Sequence, residues 1–507
     1  MATRVTSPPL PTTAEQQQKR LMLLAAAAMV TAVVVMFVAA TLGVLYAAVA
    51  VLGVLVVAVV VAQPVLGIVV FIGTLLLGLP GFLAGEGRLT ANNLLGLVLL
   101  AVLLVRVCLI RDFWFLKAPQ TILVLAIAAA FVVSFMHARQ VYIPTIPPPK
   151  DFTENTLFIV LSRVGFLAMF VNFVSTRRHV VLVLVSVLVY TMTVIPGAMH
   201  EAVTFDAKQD IATGKLIDAE TGQVTEFRVS SQTSSWGKNE NRLAFLCNTS
   251  ILLVWMLTQI WRRALFQFGG FLLMLMLAAL TLSTASRSGF LSLGLVFMFL
   301  LIQRGIPASF RVGVLGAIAV CALIFFMVLP RAAYERLLNY SLDQSAHAEA
   351  WRSTQSRIET NEHALETVVR APLLGVGPGN FRWYHREHWP HHLSAGRPNH
   401  NSYLWAATEG GLLTLGLYLL LFWFIWRDLQ AAQRRYTRGE PLWHVTRFLR
   451  GLMGLFLFFS IFADFWLEPH LYLLAGLSML LARRDLEETP PEPDPAPAAL
   501  RAREAVA

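Results

Sequence analysis

His400 and Asn401 stand at the entry to an apolar run that continues Ser402-Tyr403-Leu404-Trp405-Ala406-Ala407-Thr408-Glu409-Gly410-Gly411-Leu412-Leu413-Thr414. An imidazole exchanges its proton near neutral pH, so His400 is a candidate general base; the plainer reading is a cap or an interfacial residue. Arg287 sits in Thr281-Leu282-Ser283-Thr284-Ala285-Ser286-Arg287-Ser288-Gly289, a polar break between two hydrophobic stretches. A guanidinium among hydroxyls suits phosphate geometry, whereas a bend with a snorkelling arginine would look the same. Arg228 and Arg242 flank Gly237-Lys238-Asn239-Glu240-Asn241 and offer a further cation, or are solvated loop residues. Arg352, Arg357 and Arg370 lie in a long polar stretch, where a charged helix face explains them as well as a phosphate or glycan contact. Arg163 is placed inside an apolar run, and Glu409 and Asp464 near the ends of others. Ionisable groups at such depth are costly, which points to function or to a packed pair.

Other constellations carry less. His385-Arg386-Glu387-His388-Trp389-Pro390-His391-His392 invites a metal reading, but the spacing matches no zinc pattern and Pro390 breaks a helix that would align ligands. No metal is expected. Gly375-Val376-Gly377-Pro378-Gly379 has the glycines of a phosphate loop without the following Lys-Ser/Thr. Cys108, Cys247 and Cys321 all fall in apolar runs and read as packing residues.

The elements that must position these side chains are membrane helices. Of 507 residues, 56% are hydrophobic and 14% charged, with mean hydropathy +0.63; a globular domain is nearer one quarter charged. Leu21 to Pro80 is almost continuously apolar, right for three crossings. Further spans are expected at about 92–110, 119–136, 155–174, 178–197, 242–261, 264–283, 288–303, 311–330, 403–426, 447–465 and 469–482. The fold class is thus all-α, a polytopic bundle of about 12–14 transmembrane helices over 21–485.

Charge orients the bundle. The net charge of +10 follows from Lys and Arg at cytoplasmic helix ends rather than from nucleic-acid binding. With residues 1–20 as a cytoplasmic tail ending in a signal anchor, Arg106/Arg111/Lys117, Arg177/Arg178, Arg262/Arg263, Arg304/Arg311, Arg427/Arg434/Arg435/Arg438 and Arg483/Arg484 all fall inside. The loops 198–241 and 331–402 then fall outside. Seven of the twelve histidines lie between Pro330 and Thr414, and an outer segment of roughly 70 polar residues is usually functional or disordered. Lys215-Leu216-Ile217-Asp218 and Val224-Thr225-Glu226-Phe227-Arg228-Val229 flank Glu220-Thr221-Gly222-Gln223, a turn-like break consistent with a hairpin. Residues 486–507 read as a disordered cytoplasmic tail.

From about 241 to 420 the chain resembles the O-antigen ligase and polymerase superfamily. Ser286-Arg287-Ser288-Gly289, the run Pro372 to Phe381 and the His400 motif carry that resemblance. A ligase-like pattern of His, Asn/Ser/Gln, nine residues, Gly, two residues and Gly/Thr/Tyr is met by His400, Asn401, Gly411 and Thr414. An Arg-x10-Gly pattern of some polymerases is missing from the outer loops, which favours a ligase. The resemblance implies transfer of a glycan from undecaprenyl diphosphate to a sugar hydroxyl, on lipid A-core or another acceptor glycan, in surface polysaccharide or lipopolysaccharide assembly. It implies no cofactor, membrane lipid as surroundings, and an active face on the periplasmic side of the bacterial inner membrane. His400 would be general base, with Arg287 and Arg228 stabilising the leaving diphosphate. Arg242, Asn401, Glu409, Arg357 and Arg163 would bind substrate. Alternatives are a polysaccharide polymerase, a protein O-oligosaccharyltransferase, or a lipid-linked glycan transporter with Arg163 and Asp464 on its path.

Overall fold

The computed structural model describes residues 57–77, 91–110, 113–141, 150–204, 207–209, 216–218, 224–225, 239–303, 308–327, 348–483 and 486. Arg228, both terminal tails and the first part of the long outer segment lie outside the described residues.

The architecture is an all-α bundle. Its helices are α1 (Pro64–Leu77), α2 (Ala91–Ile110), α3 (Pro119–Val141), α4 (Lys150–Phe173), α5 (Arg177–Thr204), α6 (Glu240–Ile260), α7 (Ala264–Ser283), α8 (Arg287–Ile302), α9 (Ala308–Met327), α10 (Ala348–Arg370), α11 (Phe381–His388), α12 (Ser402–Arg435), α13 (Pro441–Phe459) and α14 (Pro469–Arg483). Among the described residues seven helices are long and apolar enough to cross a membrane, namely α3 to α7, α12 and α13. Each expected span from residue 92 onward falls on a helix. The long polar segment expected at 331–402 is not a bare loop, since it carries α10 and α11.

The hairpin expected between residues 198 and 241 has strands in both its arms, with 226–229 outside the described residues, and a further strand precedes them. β1 (Ala207–Gln209), β2 (Leu216–Asp218) and β3 (Val224–Thr225) form a small antiparallel sheet in that order. Leu216 pairs with Thr225, and Ala207 with Asp218.

Helix α6 is the central pillar, packed against α7, α8 and α13. Its run Leu243–Thr258 is buried throughout, as expected of a helix apolar on all sides. The second centre is α12, packed on α3, α14, α13 and α10. Aromatic rings knit the middle: Phe245 meets Phe459, Phe465 and His470, and Tyr418 lies 4.6 Å from Trp466. Apolar side chains such as Leu265, Phe268 and Ile302 remain exposed on the perimeter, where a lipid-facing surface needs them.

Candidate active site

The turn between α7 and α8 is built by its own sequence. Ser286 caps α8 by accepting from the Gly289 N–H at 3.0 Å. Its hydroxyl also donates to Asn241 Oδ1 at 2.6 Å. Ala285 takes a left-handed φ of +48° to close the turn, a conformation costing a residue with Cβ about 1–2 kcal/mol. Gly289 lets α6 approach, since a Cβ there would stand 2.5 Å from Ala244 Cβ. Beneath the turn, Asn248 of α6 donates to the Gly289 carbonyl (3.1 Å) and to Ser292 (2.7 Å), and Thr281 donates to Asn248 Oδ1 at 3.3 Å. Buried polar groups with satisfied partners fix position. Arg287 is thereby the one residue of Ser286-Arg287-Ser288-Gly289 aimed away from this network, and its Nη1 donates to Thr354 of α10 at 2.7 Å.

The His400 motif resolves into separate tasks. Asn401 is the N-cap of α12 and accepts from the N–H groups of Tyr403 and Leu404 at 2.9 and 3.2 Å. Gly411 breaks α12 with φ +74°, ψ 178°, and Thr414 donates to the Gly410 carbonyl at 2.7 Å. The break frees carbonyls that the glycine run then uses. Val376 N–H donates to the Thr408 carbonyl (2.8 Å), Gly377 N–H to the Glu409 carbonyl (3.1 Å), and Leu412 N–H to the Pro372 carbonyl (2.7 Å). A Cβ on Gly411 would lie 2.0 Å from the Leu373 carbonyl oxygen, so the two backbones meet without room for a side chain. The Glu409 carboxylate accepts from Gly379 N–H at 2.7 Å. Gly375 to Gly379 is therefore a docking loop for α12.

His400 and Arg287 come together. A cavity of 290 Å³ is lined by Asn241, Ser286, Arg287, Ser288, Thr354, Arg357, Asn361, His400, Asn401 and apolar neighbours including Leu291 and Phe462. Among the described residues its wall carries no Asp or Glu. Three helices start beside it, α6 capped by Asn239, α8 by Ser286 and α12 by Asn401. Helix N-termini carry partial positive charge, and two guanidinium groups add to it, so the cavity favours an anion. Burial holds the His400 imidazole pKa down at about 4, helped by the charges of Arg357 and Arg397. The ring is thus neutral at pH 7 and able to accept a proton.

Arg163, Arg242 and Glu409 do not join that cavity. They line a second one of 390 Å³, with Asn399, Arg382, Trp405, Asp464 and Glu468 among its walls. Arg242 pairs with Glu468 at 2.8 Å, and Arg163 Nε donates to the Leu467 carbonyl at 2.6 Å.

The histidine cluster wedges α10 against α11. His363 Nδ1 lies 2.9 Å from His385 Nε2, and its ring stacks on Trp389 at 4.4 Å with His392 edge-on at 4.6 Å. Burial lowers the His363 pKa and holds that of His385 at about 4. Among the described residues no group of three or more His, Cys, Asp or Glu has metal-holding geometry.

Sequence reasoning missed Thr354, Asn361 and Asn241 as cavity residues. A signal existed for two of them: Thr354, Arg357, Ile358 and Asn361 recur at i, i+3, i+4 and i+7 and so share one face of α10.

Residues 271–419 match the family model described as O-antigen ligase. Over that stretch the chain is similar to the O-antigen ligase family. The match spans α7 to the first half of α12, including Arg287 and His400 and the loop that docks on Gly411. The resemblance to the O-antigen ligase superfamily is shown by it. No curated protein matches the chain. Partners of this family are lipid-linked glycans and polysaccharides in general, and its chemistry is of the glycosyltransferase type.

Proposed function

We propose that this chain transfers a glycan from undecaprenyl diphosphate to a sugar hydroxyl, as an O-antigen ligase acting at the outer face of the bacterial inner membrane. The observation that carries this is the 290 Å³ cavity, where Arg287, Arg357 and His400 meet on a wall without carboxylates among the described residues. In the reaction, neutral His400 takes the proton of the acceptor hydroxyl as its oxygen attacks the anomeric carbon. The bond from that carbon to the diphosphate oxygen breaks, and undecaprenyl diphosphate leaves with the negative charge. Arg287 and Arg357 face that charge, the electrostatic contribution that is often largest in catalysis. The basic helix ends support this orientation: Arg262 and Arg263 follow α6, and Arg434 and Arg435 close α12 with Arg438 just beyond. They lie at the helix ends opposite those that open on the cavity, and basic ends favour the cytoplasm.

The test is transfer by the purified chain in detergent, supplied with undecaprenyl-diphosphate-linked glycan with and without lipid A-core. A single product that requires lipid A-core is expected. A ladder from donor alone would make it a polymerase, and absence of product from folded protein would overturn the reading.

A further inference from the structure

We infer that the second cavity is the acceptor subsite, a pocket that holds the body of a neutral polyhydroxylated sugar while its reacting hydroxyl reaches past the Asn399–His400 wall to His400. The inference rests on the transfer reading above and assigns that reading a second site.

The two cavities lie back to back. The segment Pro398–Asn401 gives Pro398 and Asn399 to the second cavity and His400 and Asn401 to the first. Asn241 faces the first and Arg242 the second; Phe462 faces the first and Asp464 the second. Adjacent Cα atoms are about 3.8 Å apart, so along this segment the wall between the cavities is one residue thick. A two-substrate transfer needs donor and acceptor held side by side, with the base beside the hydroxyl that attacks.

The chemistry of the two walls differs in kind. The first offers cations and helix N-termini, suited to a diphosphate. The second offers Arg163, Arg242 and Arg382 together with Glu409, Asp464 and Glu468. The signs balance, which suits an uncharged ligand better than an anion. Carboxylates accept from hydroxyls while guanidinium and amide groups donate to them, and a sugar diol needs both.

Asn399 supplies an independent sign of a missing ligand. It is 2% exposed, and its Oδ1 accepts from the Asn401 N–H at 3.0 Å. Its Nδ2 is buried with no partner. Leaving a buried donor unmet is costly, and native structures rarely do so without a ligand or water at the place. Asp464 lines the same cavity with an exposed side chain between α13 and α14. A ring hydroxyl of the acceptor other than the reacting one, placed between Asp464 and Asn399, would satisfy both.

The test measures binding and transfer on the full chain in detergent. The binding probes are undecaprenyl diphosphate alone and the methyl β-glycosides of glucose, galactose and N-acetylglucosamine, followed by saturation-transfer NMR. Wild type is expected to bind one or more glycosides at millimolar concentration. Asp464→Asn and Asn399→Ala should weaken that binding, and raise the acceptor KM, by about tenfold, the scale of one lost hydrogen bond to a charged or buried group. Undecaprenyl diphosphate binding should stay within twofold in Asp464→Asn and fall in Arg287→Ala. The subsite is overturned if Asp464→Asn leaves glycoside binding and acceptor KM unchanged, or if it weakens undecaprenyl diphosphate instead. Glycoside binding that is lost in Asp464→Asn, from a wild type with no transfer to any acceptor, would support the sugar pocket and overturn the transfer reading alone.

Discussion

The two ends of the bundle use arginine in opposite ways. At the far end, Asp428 of α12 is buried and closed in. Arg483 Nε donates to its Oδ2 at 2.6 Å and Nη2 to its Oδ1 at 3.0 Å, while Gln120 donates to Oδ2 at 2.6 Å. This fork ties α3, α12 and α14 together. Arg447 is held alike, donating to Gln303 with its guanidinium 4.5 Å from the Trp443 ring. At the cavity end, Arg287 and Arg357 look into an open space with His400 and no carboxylate among its described lining residues. Arginines forked onto a carboxylate hold a fold; arginines gathered on a cavity wall whose described residues include no carboxylate are placed for an anion. The comparison teaches that in this chain the partner, and not the residue type, separates a structural arginine from a functional one.

The largest effect should come from His400. His400→Ala is expected to lower kcat about 10²- to 10⁴-fold, the range for a positioned general base, with the thermal midpoint in detergent unchanged. An equal loss of midpoint would make His400 a structural residue like those of the far end. Arg287→Ala should lower kcat about 10²- to 10³-fold by removing a preorganised cation. Arg287→Lys should recover part of this and not all, because a point charge lacks the guanidinium fork.

Asp428→Asn reverses the pattern. Breaking the fork should cost about 2–3 kcal/mol of stability, below the fully buried case because the Arg483 side chain is 29% exposed. It should leave kcat per folded molecule near wild type, as thermal unfolding beside single-turnover kinetics will check. The smallest effect is expected from Arg357→Gln, about tenfold on kcat for one weaker electrostatic contact. Its signature lies in the pH profile. Activity needs neutral His400, so the wild-type rate should hold as pH falls and drop only near the His400 pKa of about 4. Removing the Arg357 charge relieves the imidazolium, so the acid limb should move up towards the ordinary histidine value of about 6.5.

Much of this contrast was legible in the residues. Apolar runs placed the helices because a lipid-facing helix must be long and apolar, and Arg287 and His400 stood out as polar groups at their ends, whereas Arg357 sat in a polar stretch where a charged helix face explained it equally well. The sequence alone did not divide the remaining charges. Arg163, Arg242 and Glu409 look like Arg287 by type and depth, yet they line the second cavity rather than the one with His400, and are tied to Leu467, Glu468 and Gly379. Those partners lie 304, 226 and 30 positions away, and only the packing of α4, α6 and α12 brings them near. Gly375 to Gly379 has the glycines of a phosphate loop but not its Lys-Ser/Thr, so composition left it without a task; its real one depends on the break at Gly411, a backbone conformation no side-chain pattern declares.

The most direct test is a cryo-electron microscopy structure of the chain in nanodiscs with bound undecaprenyl diphosphate. The account predicts diphosphate density in the 290 Å³ cavity, against Arg287 and Arg357 and beside His400. Density for the diphosphate in the second cavity, against Arg163 and Arg242, would contradict it.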